Sequence, residues 1–206
     1  MNPLPVIHVG AIVFDRFELL DLFGPLEMFG LLETHATTMV LAENADGISS
    51  SSGPRVVADA AMADSGAFDV LLIPGGIGTR TIMRDETFLA ELTRLAETST
   101  LVATVCTGSL LLSMTGLLDG RKATSNKRVF QEVTRHRPGV NWIASARWIE
   151  DDKYFTSSGI SAGMDMTLAI IAKLRGRDAA LEVAQKAEYT WQEDSTRDPF
   201  ASASAL

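Results

Sequence analysis

The sequence predicts a single α/β sandwich with a mainly parallel central sheet and helices on both faces. Apolar runs rich in β-branched residues alternate along the chain with segments whose apolar residues recur at helical spacing. Several runs are apolar at almost every position, which is typical of parallel strands buried on both faces. The 206 residues hold no internal repeat and no linker long enough to divide them. We therefore expect one domain over residues 1–190 and a partly disordered tail over residues 191–206.

The first half of the chain contains three apolar runs that predict strands, over residues 6–14, 38–42 and 69–73. Between the first two, a helix is expected to open near Gly24-Pro25, because proline is favoured in a first helical turn. Residues 47–57 are rich in serine and glycine and predict a loop that leads into a short edge strand. Apolar residues at helical spacing predict a further helix over residues 85–98.

The second half of the chain continues the alternation and ends in helices. A core strand is expected over residues 101–105 and a helix over residues 108–115. A short helix over residues 131–136 precedes Pro138-Gly139, and residues 143–157 predict a hairpin that turns at residues 150–153. Two final helices are expected over residues 161–174 and 178–189.

Charge and composition restrict the partners that the protein is expected to have. Eighteen Lys and Arg against 26 Asp and Glu give a net charge of −8, and an acidic surface repels nucleic acid. Residues 98–118 carry no charge but are rich in serine and threonine, so a buried strand and helix are favoured over a membrane span. The first residues lack the pattern of a signal peptide, and we expect a cytoplasmic protein. Arg121-Lys122 and Lys127-Arg128 predict a solvated basic patch.

Cys106 is the only cysteine and is the first candidate for chemistry. It lies in Val105-Cys106-Thr107-Gly108-Ser109, where the predicted strand meets the predicted helix. A thiol at the start of a helix faces the positive end of the helix dipole, which lowers its pKa and favours the nucleophilic thiolate. Composition alone favours an inert buried cysteine. The position at the junction favours a nucleophile elbow instead.

Asp21 and a glycine-rich turn are the other candidates. Asp21 stands between Leu20 and Leu22, where a carboxylate commonly caps a helix or bonds to a loop. If Asp21 is buried, its pKa rises and it can transfer protons near neutral pH. The turn Pro74-Gly75-Gly76-Ile77-Gly78 is either an ordinary tight turn or a backbone that binds an oxyanion. Its spacing does not match a dinucleotide motif or a P-loop, and the three histidines form no metal-binding pair.

Taken together, these segments resemble the DJ-1/PfpI superfamily over roughly residues 6–190. The matching motifs are DLFGPLE at 21–27, IPGG at 73–76, VCTGS at 105–109, GLLDGRKAT at 116–124 and SGISAGMD at 158–165. The chain is most similar to the isocyanide hydratases of that superfamily, in which an Asp replaces the Glu of other branches and Thr-Gly-Ser follows the cysteine. The resemblance implies a flavodoxin-like fold whose strand-to-helix turn carries the nucleophile.

The resemblance also implies a reaction, the addition of water to isocyanides to give N-substituted formamides. Cys106 would form a covalent thioimidate and Asp21 would act as acid and base. Gly76, Thr107, Gly159 and Ile160 would form the oxyanion and substrate pocket. The same resemblance implies a homodimer that acts on a small molecule without metal or cofactor, and it implies no nucleic-acid or membrane partner.

Two departures from the family pattern leave other functions open. Thr107 stands where PfpI-type proteases carry the histidine that serves as their base, which argues against proteolysis. Asn126-Lys127 replaces the His-Trp pair of many hydratase-like sequences, and this leaves the substrate open. A non-enzymatic redox or ligand sensor that uses Cys106 is the alternative from another class. A glyoxalase-like or deglycase activity is a third possibility.

Overall fold

A seven-stranded sheet forms the centre of the protein in the computed structural model, which describes residues 5–43 and 47–201. The strands are β1 (Ile7–Ile12), β2 (Ala36–Ala42), β3 (Ile48–Ser49), β4 (Arg55–Val56), β5 (Ala60–Ala61), β6 (Val70–Ile73), β7 (Leu101–Thr104), β8 (Lys122–Ala123), β9 (Asn141–Trp142), β10 (Trp148–Asp151) and β11 (Tyr154–Ser157). The central sheet has the order β10-β11-β7-β6-β1-β2-β5. Within this seven-stranded sheet only the pairing of β10 with β11 is antiparallel, so the prediction of a mainly parallel central sheet is confirmed.

Seven α-helices cover the sheet in the described ranges. They are α1 (Leu19–Gly30), α2 (Thr79–Ile82), α3 (Glu86–Thr98), α4 (Gly108–Met114), α5 (Phe130–His136), α6 (Ala162–Arg175) and α7 (Arg177–Lys186). One group is built around α6, which contacts α1 and α7, and the other around α4, which contacts α2, α3 and α5. Strands β6 and β7 are buried along their whole length between these groups, which explains their continuous apolar sequence.

Helix α1 differs from the prediction at its start. It begins at Leu19 rather than near Gly24, and Pro25 lies inside it. A Cβ at position 24 would lie 2.9 Å from Cγ of Met164 in α6, so glycine at this position allows α1 and α6 to pack closely. The earlier start matters for function because it places Asp21 in the first helical turn rather than in a loop.

Three other segments also differ in detail. The hairpin predicted over residues 143–157 is limited to β10 and β11, so residues 143–147 lie outside it, and β9 pairs with β8. The serine- and glycine-rich segment contains the small antiparallel pair β3–β4 before the edge strand β5. Helix α7 ends at Lys186, so Tyr189 follows the helix rather than closing it.

Residues 191–201, expected as part of a tail, contact the domain at defined positions. The Arg147 amide donates to the Ser195 carbonyl at 2.8 Å, and the Asp198 amide donates to the Ser145 carbonyl at 2.7 Å. The Trp191 indole donates to the Asp165 carbonyl at 3.0 Å. This part of the C-terminal segment is therefore packed against the sandwich, whereas residues 202–206 of the expected disordered tail lie outside the described residues.

None of the helices in the described ranges has the length and apolar character needed to cross a membrane. Residues 98–118, the uncharged stretch that was compared with a membrane span, contain strand β7 and helix α4. Both elements are buried in the core, as the sequence predicts.

Candidate active site

Cys106 occupies a strained turn between β7 and α4. Its φ angle is 57°, in the left-handed region that costs a non-glycine residue about 1–3 kcal/mol. A Cβ on the following Gly108 would lie 2.2 Å from the Ile73 carbonyl oxygen, so only glycine allows the chain to pass this close to β6. The strain and the close passage present the sulfur at the carboxyl end of the sheet, as a nucleophile elbow does.

Asp21 is fully buried beside this turn. Its Oδ2 accepts a hydrogen bond from the Gly75 amide at 3.0 Å, and Oδ1 has no partner of ordinary geometry in the described part of the chain. Burial raises the pKa of Asp21 from 3.8 to about 8, and nearby Glu18 adds to the rise, while hydrogen bonds with Gly75 and Cys106 oppose it. The carboxyl group is therefore protonated at neutral pH, which confirms the raised pKa expected for a buried Asp21.

The expectation of a lowered thiol pKa is wrong. Burial raises the pKa of Cys106 well above its ordinary value, and the charge of Asp21 raises it further whenever that carboxylate is ionised. Hydrogen bonds from Asn126 and Thr107 favour the thiolate and offset part of the rise. Loss of hydration on burial is the largest of these effects on the sulfur. The thiol and the carboxyl together hold two protons at neutral pH.

Asn126 is the functional residue that sequence reasoning missed. Its Nδ2 donates to the Cys106 sulfur at 3.0 Å, and its Oδ1 accepts from the Arg128 amide at 2.9 Å, which fixes the side chain. Many hydratase-like sequences carry a histidine at this position. Its replacement by another polar residue was the signal in the sequence that could have identified Asn126. A Cβ on Gly159 would lie only 2.1 Å from Nδ2, so glycine at 159 makes this contact possible.

The other predicted pocket residues surround the same sulfur. The Gly76 amide donates to the Thr107 hydroxyl oxygen at 3.0 Å, so it is already occupied and does not point freely at an oxyanion. Thr107 instead stabilises the Cys106 thiolate through both its amide and its hydroxyl. Ile160 lies with Gly76, Cys106 and Thr107 on the wall of a cleft of about 310 Å³. The structure thus brings all six predicted site residues together.

No histidine lines this cleft among the described residues. His8 lies in β1, where its Nδ1 is 2.9 Å from the Thr37 hydroxyl, His35 lies in a 3₁₀ helix (Glu33–His35), and His136 lies at the end of α5. No group of three or more His, Cys, Asp or Glu residues in the described ranges could hold a metal ion. Glu18 also lines the cleft, but Asp21 is the carboxyl group whose charge acts on the pKa of the Cys106 thiol.

Lys127 does not belong to a solvated basic patch. Its side chain is buried, and Nζ donates to the Thr124 hydroxyl and the Ala146 carbonyl, each at 2.7 Å. Burial lowers the pKa of Lys127 to about 8, with the charge of Asp198 opposing the change. The two hydrogen bonds and a cation–π contact with Phe130 explain why a lysine is tolerated there.

These features define an α/β sandwich whose cysteine, at a strand-to-helix turn, lies beside a buried protonated carboxyl group and an amide donor. The DJ-1/PfpI family model matches residues 8–173, and the chain belongs to that family. The predicted family membership and fold class are both confirmed.

Individual relatives differ in what they are named for. The chain is 31% identical to isonitrile hydratase from Pseudomonas putida over 184 residues, which covers 89% of this chain and 78% of that protein. It is 30% identical to a deglycase from Thermococcus kodakarensis over 145 residues, covering 69% of this chain and 84% of the relative. Among solved structures, a ThiJ/PfpI family protein from Pseudomonas syringae has a TM-score of 0.83 and 29% identity, covering 90% of this chain and 76% of that chain.

Proposed function

We propose that the protein is an isocyanide hydratase, a lyase that adds water to an isocyanide and releases an N-substituted formamide. The observation that carries this proposal is the full burial of Asp21 beside Cys106, with Oδ2 bound by the Gly75 amide and Oδ1 unpartnered in the described residues. This burial raises the pKa of the carboxyl to about 8, so that it can serve as an acid. An acid and a nucleophile that converge on one point suit an isocyanide, whose terminal carbon accepts both a proton and a nucleophile. Similarity to a relative named isonitrile hydratase supports the same reaction.

The first half of the reaction joins the sulfur to the substrate. The pair first loses one proton, which leaves from Asp21 because the pKa of this carboxyl is lower than that of the Cys106 thiol. The Asp21 carboxylate then takes the thiol proton, which gives the reactive thiolate at Cys106 and an acid at Asp21. The thiolate attacks the terminal carbon while the Asp21 carboxyl donates its proton to the same carbon. A carbon–sulfur bond and a carbon–hydrogen bond form, which gives a thioimidate on the enzyme and a carboxylate at Asp21. Asn126 holds the thiolate in place before the attack.

The second half releases the product and restores the pair. The Asp21 carboxylate takes a proton from water, and the hydroxide attacks the thioimidate carbon. The nitrogen gains the proton that the new hydroxyl group loses, and the carbon–sulfur bond breaks. The products are the formamide, a thiolate at Cys106 and a protonated Asp21, so one water is consumed and no electron is transferred.

Turnover of purified protein with several alkyl and aryl isocyanides tests the proposal, with formamide measured by chromatography. Cys106→Ser should lose essentially all turnover. Asp21→Asn should lose about 10²–10⁴-fold, the usual contribution of a positioned proton donor. Asp64→Asn, which removes an exposed carboxylate outside the cleft, is the matched control and should retain the parent rate. Parent-like turnover by Asp21→Asn would show that the carboxyl has only a structural role.

Absence of formamide from every isocyanide would favour the sensor alternative. A redox sensor needs an accessible thiolate, because the thiolate is the form that peroxide oxidises. The buried thiol of Cys106, with its raised pKa, should instead react slowly with peroxide at neutral pH. Mass spectrometry after exposure to peroxide measures this rate. The same protein should be assayed with methylglyoxal, since one relative is named a deglycase.

We also propose that the protein is a homodimer in the cytoplasm that binds neither nucleic acid nor membranes. Helix α1 supports the dimer, because it leaves the apolar side chain of Phe23 43% exposed. Light scattering at micromolar concentration tests it, and a monomer would contradict it. The location and the absence of other partners stay predictions from charge and composition.

A further inference from the structure

A second and larger cleft adjoins the one that opens onto Cys106. It has a volume of about 770 Å³ and shares Asn126, Arg128 and Ile160 with the smaller cleft. Its apolar walls are formed by Leu20, Ile160 and Phe200. When an atom of a bound substrate contacts the Cys106 sulfur, the group bonded to that atom can therefore extend past Asn126 into the larger cleft.

The C-terminal segment holds Phe200 on this wall. Asp198 is buried, its amide donates to the Ser145 carbonyl at 2.7 Å, and its Oδ1 accepts from the Phe200 amide at 2.8 Å. Arg147 lies beside it, with Nη1 3.8 Å from Oδ1. The backbone of Phe200 is thus fixed, although its side chain remains 60% exposed and free to contact a ligand.

We propose that the larger cleft binds the apolar N-substituent of the isocyanide and that Phe200 determines the preference for bulky substituents. The inference rests on the proposed function. An isocyanide is linear at its nitrogen, so a substrate whose carbon touches the sulfur directs its substituent away from the elbow and along the shared wall. Arg128 and Lys127 also line the cleft, and their charge disfavours a cationic substituent. A compact neutral ring such as cyclohexyl has the size and chemistry that the walls accept.

The first test compares kcat/KM for cyclohexyl isocyanide with that for methyl isocyanide. The parent should prefer the cyclohexyl compound, and Phe200→Ala should lower the ratio about 5- to 10-fold, as expected for the loss of one apolar wall. Leu181→Ala removes an exposed apolar side chain of α7 that does not line the cleft, and it should leave the ratio unchanged. An unchanged ratio in Phe200→Ala would overturn the assignment.

A second test does not depend on hydration. Cys106 is the only cysteine, so its alkylation by N-cyclohexylmaleimide and by N-methylmaleimide measures the same preference without turnover. Phe200→Ala and Ile160→Ala should each lower the ratio of the two rates. If they do so in a protein that hydrates no isocyanide, the subsite is supported and the proposed reaction fails. If Phe200→Ala changes only the oligomeric state by light scattering, a second copy covers the cleft and the subsite is refuted.

Discussion

Replacing Asp21 by Asn should stabilise the protein while it removes activity. Folding raises the pKa of this carboxyl from 3.8 to about 8, so the folded chain binds the proton more tightly than the unfolded chain. Stability therefore falls as the pH rises, because the unfolded chain ionises at a pH where the folded chain does not. The contribution of Asp21 is fully present below pH 3.8 and is lost as the pH approaches 8. Asparagine has no ionisable group and lacks this dependence.

The size of the effect follows from the shift. One pH unit between the two pKa values changes the free energy of unfolding by about 1.4 kcal/mol, so the loss between pH 3.8 and pH 7 is about 4 kcal/mol. The asparagine oxygen can still accept from the Gly75 amide, as Oδ2 of Asp21 does. Its amide group, if left without an acceptor, costs about 1–3 kcal/mol at every pH. The change with pH is therefore more informative than the difference at one pH.

Urea unfolding from about pH 4 to about pH 7.5 measures this directly in the parent, in Asp21→Asn and in the control Asp64→Asn. Cys106 does not interfere, because its raised pKa keeps the folded thiol protonated over this range. The advantage of Asp21→Asn over the parent should grow by about 4 kcal/mol from the acid end to neutral pH. Curves that stay parallel would show that the carboxyl ionises normally, and would remove the acid from the proposed mechanism.

Four further outcomes are expected. Asn126→Ala removes the donor 3.0 Å from the sulfur and should slow alkylation of Cys106 at least about 10-fold; an equal rate would mean that the hydrogen bond does not stabilise the thiolate. Gly159→Ala places a methyl group 2.1 Å from Nδ2 of Asn126 and should cause the same loss in the same alkylation assay. Arg147→Met leaves the buried Asp165 without its cation and should lower the free energy of unfolding in urea by about 3–5 kcal/mol, whereas a loss under about 1 kcal/mol would contradict the buried ion pair. Finally, kcat/KM for isocyanide hydration should rise about tenfold per pH unit and level off near pH 8, since the pair must lose one proton; a flat profile would contradict this.

The sequence predicted the sheet well because burial on both faces leaves a direct signal. Strands such as β6 and β7 are apolar at nearly every position, and the structure buries all of them. The start of α1 was harder to predict, because Gly24-Pro25 locally resembles a helix boundary. Packing of α1 against α6 outweighs that local preference, and the sequence of α1 alone does not predict this contact.

The site was predictable in its position and less so in its electrostatics. The junction of β7 and α4 was visible in the sequence, and with it the place of Cys106. The dipole of a helix can be inferred from sequence, but the loss of hydration depends on what covers the sulfur. Asn126 lies twenty residues further along the chain and still donates to the sulfur, so only the tertiary structure shows the contact.

A buried pair that holds two protons restricts the chemistry that the site can perform. With a carbonyl substrate, the nucleophile attacks carbon while the proton goes to oxygen, so the acid must lie beyond the reacting carbon. Here Gly75 binds one oxygen of Asp21, and the other has no partner in the described ranges. Asp21 and Cys106 each shift the pKa of the other, so the acid and the sulfur lie side by side. A substrate that takes nucleophile and proton at one atom fits this arrangement, and the terminal carbon of an isocyanide is such an atom.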